Sequence, residues 1–85
     1  MTIKYTEGGL RHCKRKHNIN KKDIMFALSR GIYRSFNDKK NNSIVLFAGN
    51  LCICIDKSFN LKTAFVPDNT YEAFMEKHCK EIKIK

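Results

Sequence analysis

Ser43-Ile44-Val45-Leu46-Phe47-Ala48-Gly49-Asn50-Leu51-Cys52-Ile53-Cys54-Ile55 is the stretch whose reading decides the fold. Residues 43–47 and 51–55 form two short runs rich in branched and aromatic types. Each has the length of a strand rather than of a helix. Both are apolar at successive positions, so both read as strands covered on two faces and central in a sheet. Ala48-Gly49-Asn50 is the tight connection that turns one back on the other.

The period of two continues outward. Upstream, Ile32-Tyr33-Arg34-Ser35-Phe36 reads as a strand, joined to the central pair by the polar turn 37–42. Downstream, Asp56 to Asn60 turns the chain into Leu61-Lys62-Thr63-Ala64-Phe65-Val66, and Pro67 ends that strand. Three short connections imply an antiparallel meander of four strands.

The flanks have helical spacing. Asn20 and Asp23 make a capping box before a helix that runs to about Ser29. Its stripe is Ile24, Ala27 and Leu28, widened by Met25 or Phe26, and Gly31 stops it. Thr6 caps an earlier helix that begins near Glu7, or only at Leu10 if Gly8 and Gly9 weaken its first turn. Asn18 ends it, because Asn tolerates the left-handed conformation. The lead-in 2–6 alternates, as an edge strand or a frayed end would. After Pro67, Asn69 and Glu72 form another capping pattern, and Tyr71, Phe74, Met75, His78 and Ile82 follow helical spacing. Residues 82–85 either fray or add an edge strand. The expected architecture is α+β: two N-terminal helices, a four-stranded antiparallel meander and a C-terminal helix, in a single domain over residues 1–85.

Charge is unevenly placed. The chain carries +9, with 11 Lys and Arg against 3 acids in residues 1–40, and 6 against 5 in residues 41–85. A one-sided excess of this kind asks for an anionic partner: RNA, DNA or an acidic protein. No apolar run reaches the ~18 residues that span a bilayer, and no apolar core follows Met1. A soluble chain that starts its life in the cytosol is the expectation. Cys13, Cys52, Cys54 and Cys79 read as reduced, small apolar residues, since Cys52 and Cys54 are adjacent on one strand face and pair poorly. A C-x-x-C spacing is absent, so neither metal nor cofactor is expected. A site scrambled from Cys13, His17, His78 and Cys79 is the alternative.

The groups that titrate near neutral pH gather in Leu10-Arg11-His12-Cys13-Lys14-Arg15-Lys16-His17. On a helical wheel Leu10, Cys13 and His17 share one side, and His12 lies opposite with Arg15 and Lys16. Five positions are about 140° of turn, so the two histidines share a face only if the helix ends first. A cleft between this helix and one face of the sheet would hold the chemistry. His12 and His17 are the acid and base candidates for metal-independent cleavage of RNA. Lys14, Arg15, Arg30 and Arg34 are the phosphate-holding candidates. Thr63 is either a satisfied core hydroxyl or a phosphate donor. Tyr33, Phe36 and Phe47 either stack on bases or pack the core. His78 reads as structural or exposed.

His12-Cys13-Lys14-Arg15-Lys16-His17-Asn18-Ile19, a second helix, and strands ending in Leu61-Lys62-Thr63-Ala64-Phe65-Val66-Pro67 together resemble the barnase, EndoU, colicin and RelE superfamily of ribonucleases. More narrowly, the chain resembles the small toxin domains of contact-dependent inhibition and polymorphic toxins and their phage-borne relatives. The resemblance covers about Leu10 to Tyr71. It implies a RelE- or barnase-like fold and a metal-independent endoribonuclease, often aimed at tRNA. It also implies an acidic immunity protein or antitoxin as partner, and action in the cytoplasm after delivery within a larger secreted toxin. By carry-over, His12 and His17 are the helix histidines and Thr63 the hydroxyl of the last strand, with Tyr71 just after it as a substrate-binding residue. A catalytic glutamate of the barnase kind has no counterpart here. The readings that compete are a non-catalytic nucleic-acid-binding or phage-type inhibitor module, and a redox or metal protein built on the cysteines.

Overall fold

A computed structural model describes residues 2–84. The elements are α1 (Glu7–His17), α2 (Lys21–Ser29), β1 (Ile32–Asp38), β2 (Ser43–Ala48), β3 (Leu51–Asp56), β4 (Leu61–Phe65), α3 (Tyr71–His78) and β5 (Lys80–Glu81). The fold is α+β with an antiparallel sheet. The sheet has five strands rather than four, in the order β4-β3-β2-β1-β5.

The fifth strand comes from an early end to the last helix. The spacing of Tyr71 to Ile82 predicts a helix to residue 82, but α3 stops at His78 and Cys79 is extended, at φ −128° and ψ 153°. Lys80 and Glu81 then pair with Asn37 and Phe36, and Ile82 N–H donates to the Ser35 carbonyl at 2.9 Å. An open β1 edge offers unpaired backbone groups, and pairing them outweighs one further helical turn. The edge strand expected within residues 82–85 therefore forms two residues earlier; Lys85 lies outside the described residues. The cap of α3 also differs from expectation. Thr70 is the N-cap and makes no side-chain capping bond, while Asp68 accepts from Thr70 N–H at 2.9 Å and from its hydroxyl at 2.8 Å.

Other local signals act as read. Thr6 Oγ1 accepts from Gly9 N–H at 3.1 Å, so α1 starts at Glu7 despite its two glycines. Asn18 closes α1 in the left-handed region at φ 54°. Both bonds of the Asn20–Asp23 capping box form, at 2.9 and 3.1 Å. The lead-in is pinned rather than frayed: Lys4 makes a parallel bridge to Asn60, and Ile3 is buried.

The sheet carries a core on each face, as the two apolar central strands require. On one face Cys13 of α1 and Ile24 and Ala27 of α2 pack on Leu46, Ile53, Leu61 and Ala64. On the other, Met75 of α3 packs on Phe36, Val45, Phe47 and Cys52, with Cys54, Phe65 and Tyr71 at the margin. Phe36 and Phe47 are fully buried and meet edge to face at 5.9 Å. Burial of such a ring contributes ~2 kcal/mol, and the edge-to-face pair ~1 kcal/mol more. Arg34 clamps α3 and β5 to the sheet. Its guanidinium donates to Glu72 at 3.1 Å, Glu76 at 2.9 Å and Glu81 at 2.7 Å.

Candidate functional site

Helix α1 is sealed against the sheet where a cleft was expected. Cys13 is wholly buried, and Gly9 touches the Leu61 carbonyl. The chemistry-bearing side chains gather instead along the edge strand β4. The reason lies in the pleat. Register pairs Thr63 with Cys54 and Phe65 with Cys52, which puts all four on the face opposite α2. Helix α1 flanks β4, so its last residue can reach around the edge to that face.

His17 does so. Its ring stands 5.6 Å from Phe65, and the His12 ring stands 5.9 Å from His17. Helix α1 includes both histidines, and His17 is its last residue, with Asn18 as the cap. Helical side chains incline toward the N-terminus, and His17, at the last turn, has no following turn to hold its ring away. Both rings are exposed. His17 borders a recess of about 400 Å³ with Asn18, Phe26, Asn50, Leu51 and Val66. Phe26 and Asn50 separate that recess from one holding Arg30, whose guanidinium lies 5.8 Å from the Phe26 ring.

From Phe65 the rings continue. Tyr71 meets Phe65 edge to face at 5.3 Å and lies nearly parallel to Phe74 at 6.3 Å. Phe74 meets His78 at 4.5 Å. All three histidines of the chain thus belong to one ribbon of rings that runs from α1 over β4 to α3. Burial raises the Tyr71 phenol well above its ordinary range, so it stays protonated. The ribbon was partly legible: Tyr71, Phe74 and His78 are at i, i+3 and i+7, hence on one helix face. Nothing in the local pattern of Phe65 announced His17 as its neighbour.

The other candidates separate. Lys14 donates to Asn18 Oδ1 at 3.1 Å and, like Arg15, is exposed on α1. Arg34 is spent on its three glutamates and leaves the phosphate-holding set. Thr63 is not a satisfied core hydroxyl: its Oγ1 is buried and has no hydrogen-bond partner among the described residues. Tyr33 is exposed over Phe47, whereas Phe36 and Phe47 are core. Cys54 sits on the same strand face as Cys52, and the interaction of the two thiols holds Cys54 below its ordinary range and, with burial, Cys52 above it. All four cysteines are free. Among the described residues no three His, Cys, Asp or Glu side chains converge as a metal site would need, and no helix is long and apolar enough to cross a membrane.

Charge reinforces the α1 edge. Among the described residues only Arg11 and Arg34 form ion pairs with acidic side chains. Arg15, Lys16 and Arg30 make no ion pair among the described residues. No family model, curated protein or solved structure matches the chain.

Proposed function

We propose that the protein is a small metal-independent endoribonuclease that cuts tRNA or another structured RNA at an unpaired position. The observation that carries this reading is the pairing of His12 and His17 at 5.9 Å on a cationic helix beside an aromatic ring. Two imidazoles at that spacing can address one phosphodiester, each through a different oxygen.

One imidazole takes the proton of the ribose 2′-hydroxyl. The 2′-oxygen then forms a bond to phosphorus while the bond from phosphorus to the 5′-oxygen breaks. The other ring, protonated at the start, gives its proton to the departing 5′-oxygen. The products are a 2′,3′-cyclic phosphate and a 5′-hydroxyl end, so atoms and protons balance. Arg15, Lys16 and Arg30 neutralise charge that builds on the phosphoryl oxygens. Phe65 backs His17, and the exposed rings beside it stack on bases splayed from the RNA. A chain with this activity needs an inhibitor in the cell that makes it, and an acidic protein covering α1 is the simplest form of one.

Incubation with total tRNA and separation on a denaturing gel tests the reading. Discrete fragments with 2′,3′-cyclic phosphate ends are expected without added metal. Retention of intact RNA would favour the second reading, a non-catalytic RNA-binding module. That reading draws on one observation: among the described residues neither histidine has a hydrogen-bond partner that would fix its tautomer, as a catalytic imidazole usually does.

A further inference from the structure

The ring ribbon ends in a second, larger recess beside α3. Its volume is about 940 Å³, and it opens between α3 and the β1–β2 turn. Tyr71, Phe74 and His78 form one wall, and Lys39, Lys40 and Lys80 contribute the charge. Asp38 also lines it, but its carboxylate is held in the turn by Asn41, at 2.8 Å from the amide nitrogen. No lysine of the recess is paired with a carboxylate among the described residues. Phe74 is 55% exposed, an unusual state for a ring that could have been core.

We infer that this recess and the ribbon leading to it are the binding track for an extended single strand of RNA. The strand enters along α1 and leaves past the three lysines. The inference rests on the RNA reading above and adds the form of the substrate: unpaired, and several nucleotides long. Three features argue for it. The four ring-to-ring steps from His17 to His78 measure 4.5–6.3 Å. That exceeds the ~3.4 Å rise of stacked bases in a duplex strand, and suits bases splayed over separate rings. Lysines beside aromatic faces are the pattern that holds backbone phosphate and base together without reading sequence. The track also crosses from the β4 edge past α3 to Lys80 of β5 on the opposite side of the sheet, a path that a flexible strand can follow and a rigid duplex meets only in part. Its length suits roughly four nucleotides or somewhat more, the lower end of single-strand site sizes.

Fluorescence anisotropy with labelled oligodeoxyuridines tests this, because a strand without 2′-hydroxyls is bound but not cut. An eight-nucleotide strand should bind at least tenfold more tightly than a two-nucleotide one, and more tightly than an eight-pair duplex. Phe74→Ala should weaken the eight-nucleotide complex by about tenfold, and Phe74→Tyr should restore it. Replacing Lys39 and Lys40 by Ala should make the log–log salt slope shallower by roughly 1.4. All these positions are exposed, and circular dichroism checks that the fold survives. If either variant matches the parent in affinity and salt slope, or if the duplex binds as well as the strand, the track is wrong. Phe74-dependent binding by a protein that never cuts RNA would overturn the nuclease and keep the track. Cleavage by a protein whose binding ignores Phe74 and the lysines would do the reverse.

Discussion

Gly9 of α1 lies so close to Leu61 of β4 that a Cβ built on the glycine would overlap the Leu61 carbonyl and stand 2.8 Å from Thr6 Oγ1. This contact seats the basic helix on the sheet edge and so places His17 over Phe65. A backbone carbonyl within a strand cannot move aside.

Gly9→Ala is therefore expected to destabilise the fold by about 2 kcal/mol, the usual scale for overpacking. Gly8→Ala is the matched control. Nothing lies within 4 Å of a Cβ there, so the better helix former should add ~0.5–1 kcal/mol. Urea unfolding of both variants measures the two opposite signs.

Thr63→Val should raise stability, by about 1 kcal/mol, because the threonine hydroxyl is desolvated without a partner. If that hydroxyl serves substrate, cleavage should fall in the same variant. Thermal unfolding and a tRNA cleavage assay on one preparation read both effects. An equal loss of stability and activity would mean that the hydroxyl is satisfied in the native protein.

Replacing Arg34 should weaken the protein most above the carboxylate range. The Arg34 guanidinium holds the Glu81 carboxyl below its ordinary value. A depressed carboxylate contributes stability at pH above its unfolded value, and that contribution is lost as pH falls through the lower, folded one. Arg34→Met should lower the unfolding midpoint at neutral pH and flatten its decline between about pH 5 and 3. Asp56 and Asp68, depressed by hydrogen bonds in their turns, keep part of the acid sensitivity in the variant. Midpoints recorded across pH for parent and variant make the comparison.

His12→Ala and His17→Ala should each reduce RNA cleavage by at least ~10²-fold, with little change in stability since both rings are exposed. The parent rate should pass through a bell-shaped maximum with pH, as one base and one acid require. Each variant should lose one limb. A sloping profile that both variants share with the parent would remove the histidines from the reaction.

Much of this architecture is written locally. The Thr6 and Asn20 caps, the left-handed Asn18, and the two apolar strands around Gly49 each depend on neighbours a few residues away. Such signals survive in any context that buries the apolar side chains. The meander follows, because short connections leave antiparallel pairing as the only option. Tertiary structure alone decided three things. The fifth strand exists because an unpaired β1 edge competes with the last turn of α3 for the same backbone groups. Arg34, a free cation by its spacing, is consumed by Glu72, Glu76 and Glu81, residues that lie 38 to 47 positions away. His17 meets Phe65 because the close approach of Gly9 to Leu61 sets α1 along β4 and lets this imidazole pass around the sheet edge. Periodicity reports which side of an element faces inward; which element it meets depends on contacts distant along the chain.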